Sequence, residues 1–307
     1  MSKQTELVGL ARTTNLDEVN AAYSAGALSN RNMIINGSHI VNQRGIVSVT
    51  TPSDQQVVTS DGWRSYALGQ PSNITIQEAT LPDGTVVNTH KTTTTTTGGW
   101  MHPFQKVETF GKSYLRGKLV TISLWVKTNV AGQRIRICDT VTCYELGDEI
   151  PSDGAWHYVT ASHTMTTNMA TGNSSFLQIH PAFGFDATTV EGSYVEFTLV
   201  QLEVGPATPF EHRSFAQELA LCQRYYENHT DWIHWATYTP AAMTVNPIIN
   251  YAVKKRAAPS VTISEVSGTL GVQLIGGGPS GFDFRNSNGY VTGSADKYFT
   301  WTADAEL

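Results

Sequence analysis

Over the central part of the chain, hydrophobic and polar residues alternate in short stretches separated by turn residues, the pattern of a β-sandwich. In the clearest stretch, 119–127, Val120, Ile122 and Leu124 share one face, while mostly polar residues occupy the other. Further strands are predicted at 33–36, 39–43, 74–79, 133–138, 156–163, 176–180 and 194–204. The sequence therefore predicts a mainly β fold.

A short helix is predicted near the amino terminus, over about 15 to 25. Asn15 and Glu18 have the spacing of a capping box, and Leu16, Val19 and Tyr23 recur at helical spacing. This stripe is too narrow to bury itself against its own neighbourhood, so we expect it to dock elsewhere.

A second helix is predicted over 214–229, beginning at a capping box formed by Ser214 and Gln217. Its apolar positions, Phe215, Leu219, Cys222 and Tyr226, are predicted to share one stripe and to form trimer or junction contacts. Within that stripe Cys222 is interpreted as a buried apolar residue rather than a nucleophile.

β patterning returns after the second helix, in a segment too small for a thick core of its own. Strands are predicted at 232–238, 244–253, 260–266, 270–275, 282–285, 290–292 and 297–302. About seventy residues in short strands bury little apolar area, so oligomerisation is the expected way to stabilise them.

Charge and composition exclude several classes of protein. Only 15% of the 307 residues are charged, the formal net charge is −6 and the pI is near 5.8. These values argue against nucleic-acid binding, which needs clustered lysines and arginines. No stretch has the length of a membrane helix or the pattern of a signal peptide, so we expect synthesis in a cytoplasm and no membrane insertion.

The usual motifs for cofactors, metals and catalysis are missing or weak. The segment 276–281 (GGGPSG) has the glycine spacing of a dinucleotide-binding fingerprint. A strand follows it where that fingerprint requires a helix, so a loop between strands is predicted. The sequence predicts no catalytic residues, no metal ligands and no cofactor. A bridge between Cys138 and Cys143 stays open. The threonine run 92–97 is predicted to form an exposed loop or an edge strand.

Two features could act on sugars. Glu203 and Glu211 could form a carboxylate pair for glycoside cleavage, although a salt-linked junction is the favoured interpretation. Trp125 and Trp156 lie in strong strands and are predicted to be structural. The candidate glycan-binding residues are Trp100, His102, Trp232, His234 and Tyr238, of which the last three share one face of a predicted strand.

Several stretches, taken together, resemble the jelly-roll module of bacteriophage tail fibres and tailspikes, notably those of phages of cyanobacteria and other marine bacteria. That module is similar to carbohydrate-binding jelly rolls. The matching stretches are 32–37 (NMIING), 43–45 (QRG), 59–63 (TSDGW), 115–118, 123–127, 153–158 (DGAWHY), 200–213 (VQLEVGPATPFEHR), 218–226 and 303–307.

The resemblance implies a homotrimeric virion protein of the phage tail. Residues 1–30 would be a virion-anchoring segment held by other tail proteins through Leu16, Val19 and Tyr23. Residues 31–213 would form a jelly-roll β-sandwich, 214–229 a connector helix, and 230–307 a small β head facing the host.

The implied function is host attachment by multivalent binding to surface polysaccharide or lipopolysaccharide, without enzymatic activity. Two alternatives remain. One is a polysaccharide-degrading fibre enzyme, and the other is a connector or decoration fibre at the neck or head that does not bind the receptor.

Overall fold

The computed structural model describes residues 31–98, 100–109, 111–139, 142–172, 175–183, 189–239, 246–268, 271–286 and 293–306. The described chain is mainly β and divides into two compact units. Residues up to Ile40 and Ile46–Arg213 belong to unit 1, whereas Val41–Gly45 and Ser214–Leu307 belong to unit 2. The helix predicted at 15 to 25 lies outside the described residues.

Unit 1 is a β-sandwich of two six-stranded antiparallel sheets. Its strands are β1 (Ser48–Thr51), β2 (Gln55–Val58), β3 (Trp63–Leu68), β4 (Ser72–Thr80), β5 (Val86–Thr94), β6 (Trp100–Glu108), β7 (Leu119–Thr128), β8 (Arg134–Cys138), β9 (Cys143–Leu146), β10 (His157–Thr164), β11 (Phe176–Phe183) and β12 (Tyr194–Val204), with a 3-10 turn at Ser113–Leu115. Sheet 1 has the order β1-β4-β5-β12-β7-β10, and sheet 2 the order β2-β3-β6-β11-β8-β9.

The sandwich core forms where the inward faces of the two sheets meet. On β7, Val120, Ile122 and Leu124 are at most 1% exposed, which confirms the predicted inward face. They belong to one cluster with Ile137 and Ile179 of sheet 2. Sequence alternation thus correctly assigned the two faces of this strand, because one face is fully desolvated.

Two predicted strands at the start of unit 1, 33–36 and 39–43, are wrong. Asn36 and His39 have positive φ angles of 54°, a conformation that a β-strand does not allow. The backbone here bonds to side chains instead, since the Ile34 N–H donates to Asn32 Oδ1 at 2.9 Å. An irregular segment results.

The prediction of an exposed loop or edge strand for the threonine run is wrong for 92–94, whereas 95–97 form a partly exposed loop. Its first residues belong to β5, which pairs with β4 on one side and β12 on the other. Thr92 and Thr94 are buried, and Thr94 Oγ1 donates to the Val190 carbonyl at 2.6 Å. The first half of the run, 92–94, therefore fills an interior strand, whereas Thr96 and Thr97 are exposed in the loop that follows.

The two cysteines whose pairing the sequence left open are bridged. Cys138 and Cys143 are directly opposite each other on β8 and β9 and form a disulfide. Cys222 is a buried free cysteine.

Unit 2 contains one described helix and two three-stranded sheets. Its elements are α1 (Phe215–Gln223), β13 (Tyr226–Thr239), β14 (Ile248–Asn250), β15 (Ser260–Gly268), β16 (Val272–Gly278), β17 (Gly281–Asn286) and β18 (Gly293–Asp304). Sheet 3 has the order β13-β18-β15, and sheet 4 the order β14-β17-β16. The predicted strand 290–292 lies outside the described residues.

Helix α1 begins as predicted but ends earlier. Ser214 and Gln217 form the capping box, whereas the helix stops at Gln223 and strand β13 starts at Tyr226. The predicted stripe ending at Tyr226 therefore does not exist as one helix face. Long-range pairing of Tyr226 with Asp304 takes the place of the last helical turns.

The loop predicted over 276–281 is shorter in the structure, because Gly276–Gly278 extend β16 and Gly281 begins β17. Strands β16 and β17 pair as a hairpin around Pro279 and Ser280. A Cβ on Gly281 would lie 2.3 Å from the Ile249 carbonyl oxygen, so glycine is needed where β14 approaches β17.

Candidate functional site

Sheet 3 has one buried face and one face open to solvent. On β18, Phe299, Trp301 and Ala303 point inward and are at most 3% exposed. Tyr298 alternates with them and points outward, opposite His234 of β13. Side chains on the open face are thus supported from behind by a packed layer.

Three aromatic rings meet on this open face, which we call the aromatic face: Trp232, His234 and Tyr298. The rings of His234 and Tyr298 stack with centroids 4.4 Å apart and planes 9° from parallel. Trp232 is 67% exposed and meets Tyr298 edge-on at 6.3 Å. An indole this exposed has most of its hydrophobic surface left in contact with water.

Polar groups border the aromatic face. His234 Nε2 lies 3.7 Å from Asp296 Oδ2, and both side chains are about half exposed. On the neighbouring strand Ser264 is exposed and lies opposite Thr300. Ring surfaces edged by hydroxyl and carboxylate groups suit a ligand that is itself part apolar and part hydroxylated.

The layer behind the aromatic face holds its strands in place. Trp235 meets Phe284 edge-on at 5.1 Å, and Phe284 meets Phe299 in the same way at 5.0 Å. Phe282 packs against Trp301 at 5.4 Å. These contacts join sheets 3 and 4 of unit 2, so the aromatic face rests on a rigid core.

The structure brings together two of the three candidates in the strand after the helix. Trp232 and His234 share the open face, with Trp235 on the buried side. Tyr238 belongs to β13 and pairs with Ser294, but its side chain lies outside the described residues. Tyr298 was not predicted, because its register against His234 is a long-range pairing that periodicity does not reveal.

The other two glycan candidates are placed differently. Trp100 begins β6 opposite Leu68, and its side chain lies outside the described residues. His102 is only 6% exposed and stacks on Phe183 at 4.5 Å. Burial, together with the nearby Arg136, lowers the pKa of His102 to about 4. It is a neutral packed residue rather than an exposed sugar platform.

The predicted junction residues are scattered in the structure. Phe215 is 57% exposed and Leu219 half-buried, whereas Cys222 and Tyr226 are buried. Trimer contacts through these residues stay a prediction. The anchor residues Leu16, Val19 and Tyr23 lie outside the described residues.

The carboxylates of Glu203 and Glu211 are committed to hydrogen bonds within unit 1. Glu203 is fully buried and accepts bonds from the N–H and hydroxyl of Thr208, at 2.8 and 2.6 Å. Glu211 accepts from the Asn32 N–H at 2.8 Å. Arg31 Nε lies 3.8 Å from Glu203 Oε2, so the two carboxylates are linked to residues 31 and 32 rather than to the helix.

A serine and a histidine also meet inside unit 1, without access for a substrate. His39 Nδ1 lies 3.1 Å from Ser60 Oγ, and both residues are at most 2% exposed. Burial, followed by the neighbouring His90, holds the pKa of His39 well below its ordinary value. The pair is therefore a neutral core contact.

Within the described ranges, no group of three or more His, Cys, Asp or Glu side chains has the geometry of a metal site. Over the same ranges, no helix is long and apolar enough to cross a membrane.

Comparison with known proteins finds likeness in structure alone. No family model and no curated protein sequence matches the chain. Among solved structures, a cyclase from Fischerella sp. is 14% identical with a TM-score of 0.34, over 56% of this chain and 95% of its own. The enzymatically active domain of bacteriophage CBA120 tailspike protein 4 is 14% identical with a TM-score of 0.35, over 57% of this chain and 21% of its own. A CBM4 protein is 15% identical with a TM-score of 0.31, over 55% of this chain and 97% of its own.

The similar solved structures include carbohydrate-related domains and a phage tailspike domain. No tail-fibre family is confirmed. The prediction that the chain is not an enzyme is wrong as it stands, because cyclases and an enzymatically active tailspike domain are among the similar folds. At this identity no substrate or reaction passes from those proteins to this chain.

Proposed function

We propose that the chain recognises polysaccharide and that the aromatic face of unit 2 is its binding surface. The observation that carries the proposal is the exposed Trp232 beside the stacked pair of His234 and Tyr298. Sugar rings present C–H groups on their flat sides and hydroxyls at their edges, which match aromatic rings bordered by Asp296 and Ser264.

The setting we propose is the one implied by the sequence resemblance. The chain acts as a homotrimeric phage tail protein of the virion, held by other tail proteins through residues 1–30. Unit 1 is the jelly roll of this fibre, and unit 2 meets the polysaccharide or lipopolysaccharide of the host. Three copies of a weak site give tight attachment through avidity.

Cleavage of the bound polysaccharide is the second candidate function, favoured by the approach of His234 to Asp296 at 3.7 Å. Histidine and carboxylate side chains are the common groups for proton transfer. Here they lie beside rings that would position the sugar. In this role His234 donates a proton to the leaving oxygen of the glycosidic bond while water adds to the anomeric carbon, and Asp296 orients the imidazole.

Affinity electrophoresis through gels containing purified bacterial surface polysaccharide tests the proposal. We expect wild-type protein to be retarded and Trp232→Ala to bind about tenfold more weakly, since a stacked ring contributes about 1 kcal/mol. Tyr114→Ala is the matched control, because Tyr114 is 57% exposed in unit 1. Equal retardation of the wild type and Trp232→Ala would overturn the proposal, and no retardation of any variant would favour the connector fibre.

The same polysaccharide, incubated with the protein and assayed for new reducing ends, separates the two candidate functions. Release of reducing ends that Asp296→Asn abolishes supports cleavage. Retardation without release supports recognition alone.

A further inference from the structure

The outward face of sheet 1 in unit 1 carries a row of charged residues across three neighbouring strands. Glu196 of β12 lies opposite Lys91 of β5 on one side and opposite Lys127 of β7 on the other. These side chains lie on the face that points away from the sandwich core. Together with four aromatic residues described next, we call this surface the lysine-aromatic face.

Aromatic rings flank the charged row on both sides. Tyr194, the preceding outward residue of β12, has its ring centroid 4.5 Å from Lys91 Nζ and 6.0 Å from Lys127 Nζ. Trp156 lies 4.9 Å from Lys127 Nζ. On the other side Trp125 of β7 is opposite Tyr158 of β10, with ring centroids 5.7 Å apart.

These rings are open to solvent rather than packed in the core. Tyr158 is 48% exposed, and Trp125, Trp156 and Tyr194 are half-buried. Trp125 and Trp156, which the sequence predicts to be structural, are each partly exposed on this surface. Trp125 lies in β7, whereas Trp156 lies in the turn just before β10.

A tight turn presents Trp156 to this surface. Asp153 Oδ1 accepts a hydrogen bond from the Ala155 N–H at 2.9 Å, and Gly154, with φ of 74°, donates its N–H to the Thr128 carbonyl. A Cβ on Gly154 would lie 3.2 Å from the Tyr194 hydroxyl. The turn therefore packs against Tyr194 and fixes the position of the indole.

The two lysines differ in their electrostatic environment. Lys127 Nζ lies 3.0 Å from Glu196 Oε2, whose other oxygen accepts bonds from Gln77 and Thr89 at 3.0 and 2.9 Å. The buried Glu196 is thus neutralised by Lys127. Among the residues that the structure describes, Lys91 makes no ion pair, so its ammonium is available to an anionic ligand.

We propose that the lysine-aromatic face is a second, separate binding site, for an acidic polysaccharide whose sugars carry carboxylate groups. The carboxylate meets Lys91, and neighbouring sugar rings lie on the rings of Tyr194, Trp156, Trp125 and Tyr158. From β5 to β10 the surface crosses three strand spacings, about 14 Å, enough for a short oligosaccharide. Charge complementarity at Lys91 favours this ligand over a neutral glycan.

Isothermal titration with oligogalacturonate and with its methyl-esterified form tests the proposal, because esterification removes the charge and keeps the rings. We expect the acid to bind about tenfold more tightly than the ester, the gain typical of one charged hydrogen bond. Lys91→Gln should abolish this difference, whereas Lys91→Arg should keep it. Tyr158→Ala should weaken the binding of both ligands.

Two control variants test whether the preference for the acid depends on Lys91. Lys118→Gln removes an exposed lysine from the loop before β7 and should keep the preference for the acid. Trp232→Ala should also keep it, which makes the result independent of the aromatic face of unit 2. Equal binding of acid and ester by the wild type, or an unchanged preference in Lys91→Gln with native circular dichroism, would overturn the proposal.

Discussion

The imidazole of His234 lies parallel to the phenol ring of Tyr298, with ring centroids 4.4 Å apart, although 64 positions separate the two residues in the chain. Antiparallel pairing of β13 with β18 places them directly opposite each other. The stack extends the flat aromatic surface next to Trp232. It also holds His234 Nε2 3.7 Å from Asp296 Oδ2. Binding and proton transfer can therefore be separated by substitution.

Replacing His234 with Phe should separate these two roles. The phenyl ring keeps the stack on Tyr298 and removes both nitrogens, so retardation by polysaccharide should stay within about twofold of the wild type. If the chain cleaves its ligand, release of reducing ends should fall at least a hundredfold, as expected for the loss of a proton-transfer group. Full cleavage by His234→Phe would exclude His234 from the chemistry.

Acid should destabilise unit 1 because several of its histidines are buried as neutral rings. Burial lowers the pKa of His90 to about 3, and lowers that of His180 to about 3 with help from His102 and Arg136. In the unfolded chain these pKa values are near 6.5. Stability is therefore complete above pH 6.5 and is lost as pH falls toward the folded values.

Each such histidine should reduce the free energy of unfolding by about 1.4 kcal/mol per pH unit within this window. Urea unfolding between pH 7.5 and 5 measures the slope. His180→Phe should make the slope shallower, while Val86→Ala, which changes an exposed residue that does not titrate, should leave it unchanged. The same slope in His180→Phe as in the wild type would contradict this origin of acid sensitivity.

A buried ion pair should contribute strongly to the stability of unit 2. The side chain of Lys255 is fully buried and bonds to Glu227 Oε2 and to the Gln223 carbonyl at the end of α1. Lys255→Met leaves the Glu227 carboxylate buried without its cation. We expect a loss of about 3 to 5 kcal/mol in the free energy of unfolding.

The double variant Lys255→Met with Glu227→Gln should recover part of that loss, because no buried charge remains. Lys254→Met is the neighbouring control and should change the free energy by less than about 0.5 kcal/mol, since Lys254 lies nearer the surface. A double variant no more stable than Lys255→Met alone would show that the lost packing, rather than the unpaired charge, sets the effect.

The disulfide should stabilise unit 1 only modestly. Cys138 and Cys143 are five positions apart and close a short loop, so reduction should lower the free energy of unfolding by about 2 kcal/mol. Thiol titration of the unreduced protein should find no reactive thiol in the native state and one after denaturation, since Cys222 is buried. Three thiols after denaturation without reductant would contradict the bridge.

Strands with one desolvated face were predictable from sequence, and contacts set by long-range pairing were not. The alternation of Val120, Ile122 and Leu124 identified β7 because each of these side chains is buried in the core. Thr92 carries no such signal, because a polar β-branched residue suits both an edge and an interior strand. Only the pairing of β5 with both neighbours decides its position.

The candidate site also combines residues that local sequence pattern grouped with one that only long-range pairing brought in. Trp232 and His234 share a face by their spacing of two residues, so local pattern was enough to group them. Tyr298 joined them through the register of β18, which no local pattern specifies. His102 and His234 were both candidate glycan-binding residues, yet His102 is buried against Phe183.

The aromatic face of unit 2 should bind a sugar ring. A crystal structure of the Lys91→Gln variant with a neutral oligosaccharide cut from the polysaccharide that retards the protein would show where the sugar lies. We predict a sugar ring lying flat against Trp232 or Tyr298, with its hydroxyls near Asp296. An oligosaccharide bound elsewhere on the protein, with Trp232 still open to solvent, would contradict the claim.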